Sequence, residues 1–368
     1  MGDAGSRQPS ASVPPALVTP PAGGLEHVKS TLVHVLMNDQ DPMKSARLSN
    51  ADRGYPHTHN MPALVRAVMR TIIAVHGQLN FYVECGSMLG GSVLVAGREG
   101  RNLGASRNLT ILAMDPFTGD VNMWDFYAKH ARGSTEDRMG ASRAFSYLRL
   151  QQGQPTIWER FLANVAEAGL QEMVLPLRLT SIVGLRLTQR LVASGRLRRG
   201  PQVVYLDSAH EYGETLLELA VAWDTVDARR GAIIYGDDWA WDPVRHNVMR
   251  FASCLSEAST NMVTSDQRRL SRETLLQTAF LRHLPSGTAG SLERLESFRQ
   301  CQRVVTAQGG GLLLPQGSAD HGRFCTADGL SVLLWHGQWV LFREAHHRSV
   351  AEMAVPTRPG CSFLTDRL

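Results

Sequence analysis

Phe81-Tyr82-Val83-Glu84-Cys85-Gly86-Ser87-Met88-Leu89-Gly90-Gly91-Ser92 reads as a short apolar strand that runs into a glycine turn and opens a helix. Glycines let a backbone approach a ligand without a Cβ in the way. In open α/β sheets, a turn of this kind at a strand's carboxyl end is where a nucleotide-like ligand lies. The same pattern also serves as a tight connection and nothing more. The spacing is not the dinucleotide G-x-G-x-x-G, and no Lys-Ser/Thr pair follows the glycines as a phosphate loop requires.

Working outward, four more apolar runs bounded by turn residues follow. They are Leu109-Thr110-Ile111-Leu112-Ala113-Met114, a weaker run at 172–177, Val203-Val204-Tyr205-Leu206 and Ala232-Ile233-Ile234-Tyr235. Runs of four to six apolar residues suit buried parallel strands. Good helix formers lie between them, as at 212–226, and residues 244–255 predict the next helix. The alternation predicts an α/β fold: a doubly wound, Rossmann-like, mostly parallel sheet. Near the end, 330–335, His336-Gly337 and 338–342 read as an antiparallel hairpin.

The division expected is a disordered tail at 1–24, a helical lead-in at 25–77, one large domain at 78–345 and a tail at 346–368. In the lead-in, Leu64, Val68, Ile72 and Val75 recur at helical spacing, with Pro62 in the first turn after Asn60 as cap. Residues 256–325 are expected to form a helical insertion, and Gly309-Gly310-Gly311 a loop.

The chain has 368 residues, 43% hydrophobic, with 38 Lys+Arg against 34 Asp+Glu. The apolar share is ample for a core, and the small basic surplus is no nucleic-acid footprint. Cys85, Cys254, Cys301, Cys325 and Cys361 form no C-x-x-C pair. That excludes a disulfide scaffold or thiolate zinc site and fits a reducing compartment, hence a cytoplasmic expectation. No run approaches the ~20 apolar residues of a membrane helix. The N-terminus lacks the pattern of a secretory signal. Gly2 with Ser6 matches a minimal myristoylation pattern, but a floppy tail is the preferred reading.

Three constellations carry chemistry. The glycine turn fits the looser Glu-x-Gly-x-x-x-Gly arrangement that holds S-adenosylmethionine. Asp115, ending the second strand, is placed to accept hydrogen bonds from ribose hydroxyls, or else is a turn residue. The third joins Asp207-Ser208-Ala209-His210 to Asp237-Asp238-Trp239. If the fourth and fifth strands are neighbours, ~4.8 Å apart, Asp207, Asp237 and Asp238 converge at one sheet edge. Three acids without a basic neighbour call for a cation, and oxygen ligands favour Mg²⁺, Mn²⁺ or Ca²⁺. His210 then lies within reach of a hydroxyl held there, as a base. The bland alternative is a solvated turn and a histidine at a helix start.

These residues together resemble the class I S-adenosylmethionine-dependent methyltransferases, and most closely their metal-dependent macrocin and mycinamicin sugar O-methyltransferase branch, with the cephalosporin hydroxylase-like relatives. The similarity covers roughly 77–250 and resumes near residue 330, where Gln338-Trp339-Val340-Leu341 resembles that family's last antiparallel strand. The resemblance implies that Glu84, Gly86, Gly90, Gly91, Ser92 and Asp115 hold the cofactor. It implies that Asp207, Asp237 and Asp238 hold Mg²⁺ or Mn²⁺ and that His210 is the base. The branch usually carries Glu-Asp where this chain has Asp237-Asp238. The function implied is methyl transfer to a hydroxyl of a small molecule, sugar or phenol-like, with no nucleic-acid or membrane partner and self-association left open. The alternatives are a non-catalytic S-adenosylmethionine-binding scaffold and a hydroxylase-like accessory enzyme. Trp239 and Trp241 either wall the acceptor or pack the core. His57, His59, His346 and His347 are expected at the surface, and Cys85 buried and inert.

Overall fold

In the computed structural model, the described residues are 28–52, 61–121, 123–125, 147–208, 210–260, 275–283, 302–303, 305–306, 312–313, 321–325 and 331–343. The expectations for the two tails, for His57 and His59, for Gly309 to Gly311 and for His346 and His347 lie outside them. Strands β1 (Phe81–Cys85), β2 (Thr110–Met114), β3 (Val174–Leu177), β4 (Val203–Leu206) and β5 (Ala232–Gly236) form where the apolar runs predict them. Beyond them come β6 (Gln302–Arg303), β7 (Val305–Thr306), β8 (Leu312–Leu313), β9 (His321–Cys325), β10 (Ser331–Trp335) and β11 (Gln338–Arg343).

The main sheet runs β3-β2-β1-β4-β5-β11-β10-β9-β6. Its first five strands are parallel, while β11 is antiparallel to both β5 and β10. The chain winds outward from β1 to β3 and then returns to β4, so the strand order reverses between β1 and β4. That reversal opens the crevice in which ligands bind such sheets. The expected hairpin joins β10 to β11 through His336 (φ 49°) and Gly337 (φ 81°). Two positive φ values in a two-residue loop match the right-handed twist of the flanking strands.

Side-chain alternation along each strand feeds two cores. Phe81, Val83 and Cys85 face one side with Leu112, Val204 and Ile234, under α1 (Val28–Met37), α5 (Ser181–Ala193), α6 (Glu214–Thr225) and α7 (Asp242–Thr260). Tyr82 faces the other side with Ile111, Tyr205 and Tyr235, under α2 (Pro62–His76), α3 (Gly91–Asn102), α4 (Ile157–Glu167) and α8 (Leu275–His283). The lead-in helices thus belong to the layers of the sheet. Leu64, Val65, Val68, Met69 and Ile72 of α2 are fully buried. At ~2 kcal/mol each, that helix contributes on the order of 10 kcal/mol of transfer free energy, an upper bound. Met61 stands at its cap position without a side-chain capping bond, Asn60, the expected cap, lies outside the described residues, and Gly77 closes the helix end on Ile73.

The expectation of a helical insertion at 256–325 is corrected in its second half. α8 packs on α2 and sets Phe280 against Phe342 at 5.4 Å. From 302 onward the described residues are strands, with β9 pairing antiparallel to β10 from Ser331↔Cys325 to Trp335↔His321. The open edge of β10 offers a row of backbone partners, and that tertiary opportunity outweighs the local pattern of His321-Gly322-Arg323-Phe324-Cys325. A second correction concerns the thiols. Cys85 is free and buried as expected, but Cys254 is disulfide-bonded, which does not fit an all-reduced chain. Among the described residues, no helix is long and apolar enough to cross a membrane.

Candidate functional site

The glycine turn sits at the carboxyl ends of β1 and β2, beside the strand-order reversal. Backbone pairing continues past the strands: Gly86 donates to the Met114 carbonyl at 2.9 Å, and Asp207 donates to the Cys85 carbonyl at 2.9 Å. Gly86 has φ +86°, and a Cβ there would lie 2.0 Å from the Asp207 carbonyl oxygen. Only glycine satisfies both constraints, the left-handed backbone and the contact. The turn and the acidic segment therefore press directly on one another.

Glu84 points to the α3 side, where Ser92 Oγ donates to its Oε1 at 2.6 Å. Burial pushes its carboxyl up to about 8, so it carries a proton at neutral pH. Glu84 Oε2 and Ser87 Oγ are both buried, and the Ser87 hydroxyl acts on the Glu84 carboxyl as a weak hydrogen-bonding neighbour. Asp115 accepts from the amides of Met88 at 2.8 Å and Phe117 at 2.5 Å, and burial raises its pKa as well. It is thus a turn residue that grips the glycine turn, with the Ser87 amide also acting on its carboxylate. Gly90 caps α3, which Gly91 and Ser92 open. All six expected cofactor residues gather here. The donor and acceptor groups of Glu84, Ser87 and Asp115 at this turn fit a polar ligand bearing hydroxyl or amino groups, as S-adenosylmethionine does.

The second group forms as the pairing of β4 with β5 requires, with Leu206 opposite Gly236. His210 Nε2 lies 2.6 Å from Asp238 Oδ2 and 3.8 Å from Asp207 Oδ1, and its Nδ1 lies 3.6 Å from Asp120 Oδ2. Ligand atoms of Asp207, His210 and Asp238 all fall within 4.8 Å of one another. That spread is close to the ~4 Å between opposite ligands around Mg²⁺. The two carboxylates of Asp207 and Asp238 are oxygen donors that suit Mg²⁺ or Mn²⁺, with the His210 imidazole at the edge of the same site. Asp237 is not in the group. It is buried, its Oδ1 accepts from the Asp238 amide at 2.8 Å, and its carbonyl accepts from Trp339 Nε1 at 3.0 Å.

The electrostatics are those of a negative site built around one imidazole. Burial alone lowers the pKa of His210, but the carboxylates of Asp120, Asp207 and Asp238 outweigh it and push it up to about 12. Burial raises Asp207, whose Oδ2 accepts from Tyr205 Oη at 3.2 Å. Trp239 joins the core, whereas Trp241 is exposed and meets the His210 ring at a tilt, with centroids 5.2 Å apart.

Three participants were not anticipated. Asp120 lies in a polar turn after β2, with nothing to distinguish it from a turn former. Glu218 accepts from Ser181 Oγ and Ser208 Oγ beneath the site, and burial raises its pKa. An acid inside the apolar run Leu216-Leu217-Glu218-Leu219 was a readable signal. Asn247 of α7 donates to the Glu211 carbonyl at 3.2 Å and accepts from the Gly213 amide at 3.3 Å, pinning the segment that carries His210. A separate cleft of ≈ 230 Å³ is lined by Ser45, Arg47, Asn50, Trp158, Glu159 and Leu162 and gathers no acid–histidine cluster.

No protein-family model matches the chain, and no curated protein matches it. Among solved structures, the O-methyltransferase NovP is 17% identical with a TM-score of 0.36, over 65% of this chain and 91% of that one. CalS11, a TDP-rhamnose 3′-O-methyltransferase of calicheamicin biosynthesis, is 15% identical with a TM-score of 0.33, over 61% and 85%. An O-methyltransferase from Bacillus cereus in complex with SAH is 13% identical with a TM-score of 0.30, over 86% and 97%. Likeness at this level assigns no role to any residue of this chain.

Proposed function

We propose that the chain is an S-adenosylmethionine-dependent O-methyltransferase that methylates a hydroxyl of a small-molecule acceptor with the help of a divalent cation, Mg²⁺ or Mn²⁺. The observation that carries this reading is the direct contact of the two sites, in which Gly86 leaves no room for a Cβ against the Asp207 carbonyl. A ligand in the glycine turn and a ligand on the acids would therefore lie side by side at the crevice.

Glu84, Ser87 and Asp115 would bind the polar groups of the methyl donor, and Gly86 and Gly90 shape the turn around it. Asp207 and Asp238 would hold the cation, with His210 beside them. Once bound, the pair supplies an activated methyl group and a Lewis acid that lowers the pKa of a hydroxyl. A donor bound at the turn would supply its methyl group to the acceptor oxygen and be left as a neutral thioether. His210 would take the hydroxyl proton, for which it must first be neutral. The carboxylates that keep it protonated are those a cation would engage, so cation loading and base function are coupled. Holding both reactants in one geometry would supply most of the acceleration.

Calorimetric titration with S-adenosylmethionine, with and without Mg²⁺ or Mn²⁺, tests the reading, and failure to bind in every condition overturns it. Asp238→Asn should weaken Mn²⁺ binding at least tenfold, whereas Asp237→Asn should weaken it far less. Equal losses in the two variants would return Asp237 to the ligand set.

A further inference from the structure

Large apolar side chains scattered singly over a surface need no explanation, but a cluster of them beside a polar site marks a ligand surface. Among the described residues, five large hydrophobics are exposed: Leu48, Val121, Val183, Tyr212 and Trp241. Three of these five belong to the segments that build the acid–histidine site. Val121, 60% exposed, follows Asp120; Tyr212, 66% exposed, lies two residues after His210; Trp241, 43% exposed, lies three residues after Asp238. Their placement is held from below. The Trp241 amide donates to the Asp238 carbonyl at 2.8 Å, and its ring meets His210 at 5.2 Å and 53°. Tyr212 meets His246 at 5.8 Å and 73°, and Asn247 ties the Glu211 and Gly213 backbone to the same helix.

We infer that Trp241, with Tyr212, is the specificity-determining wall of the acceptor site, and that it selects a hydroxyl-bearing ring with an apolar face over an open-chain alcohol. The aromatic faces offer stacking area beside the carboxylates, so a ring can lie on Trp241 while its hydroxyls reach Asp207, His210 and Asp238. Phenolic rings and the apolar faces of sugars share this chemistry. The assignment of the captured ring as methyl acceptor rests on the methyl-transfer reading; its capture does not.

The test is ligand-observed NMR titration of the full chain in Mg²⁺ with three probes bearing adjacent hydroxyls: catechol, methyl α-D-mannopyranoside and ethylene glycol. At least one ring probe should bind about tenfold more tightly than ethylene glycol. Trp241→Ala should abolish that preference without changing ethylene glycol binding, Trp241→Phe should keep most of it, and Tyr212→Ala should reduce it in part. Preference for catechol alone assigns a phenolic acceptor, and preference for the mannoside alone assigns a sugar. Equal binding of all three probes, or a ring preference that survives Trp241→Ala, overturns the inference. S-adenosylmethionine binding is measured in parallel. Its absence from the parent chain sinks the methyl-transfer reading, while the probe titrations still decide ring capture.

Discussion

Glu84→Gln isolates one buried ionisable group at the heart of the glycine turn. The folded chain holds the Glu84 proton far more tightly than an ordinary glutamate does, since burial moves its pKa from 4.5 to about 8. Between these values the folded state binds the extra proton and the unfolded state does not, so stability falls as pH rises through the window. At ~1.4 kcal/mol per pH unit, and allowing for partial titration near each end, the loss between pH 5 and pH 8 is on the order of 3 kcal/mol. That is a large share of the ~5–15 kcal/mol that holds a typical domain together. Glutamine keeps the shape, and its carbonyl oxygen can still accept from Ser92 Oγ, but it never ionises. The variant should therefore match the parent near pH 5 and exceed it by about 3 kcal/mol near pH 8. Urea unfolding of both chains at matched pH values reads this difference. Asp115, Asp207 and Glu218, whose pKa values burial also raises, are common to both chains and largely cancel. A difference that stays flat within ~1 kcal/mol from pH 5 to pH 8 would refute the account of Glu84 as a buried, protonated acid.

Gly86→Ala combines a positive φ with a Cβ placed on the Asp207 backbone. It should cost at least ~3 kcal/mol in urea unfolding and displace the acidic segment, and a loss under ~1 kcal/mol would show that the turn can move aside. Asn247→Ala removes two hydrogen bonds from the segment that carries His210. It should cost ~1–3 kcal/mol and weaken Mn²⁺ binding, although Asn247 is not itself a ligand. An unchanged metal isotherm would make Asn247 purely structural.

Much of the fold was legible because buried parallel strands are apolar on both faces and so stand out as short runs between turn residues. β1 and β4 fall on the residues expected, and the hairpin announced itself through His336-Gly337. The strands beyond β10 were not legible. β6 and β9 borrow their hydrogen bonds from neighbours and carry little pattern of their own, so 302–325 read as part of a helical insertion. The candidate site divides in the same way. Glycine turns and acids at strand ends are local signals, and they singled out Glu84, Gly86, Asp115, Asp207, His210 and Asp238 as candidates.

By itself, the sequence determined which segments are strands, which strand ends carry acids, and that the crevice beside the glycine turn is the place to look. These are properties of hydrophobic period and of residue type at a turn, both set within a few positions of the chain. Only the tertiary structure decided which acids meet. Asp237 turns its carboxylate onto the Asp238 amide, so Asp238 faces His210 in its place. Asp120 arrives from another loop, and Trp241 separates from its near neighbour Trp239 to stand at the rim. Side chains one or two positions apart at a strand end can point in opposite directions, and the backbone torsions that choose between them are set by packing across the sheet.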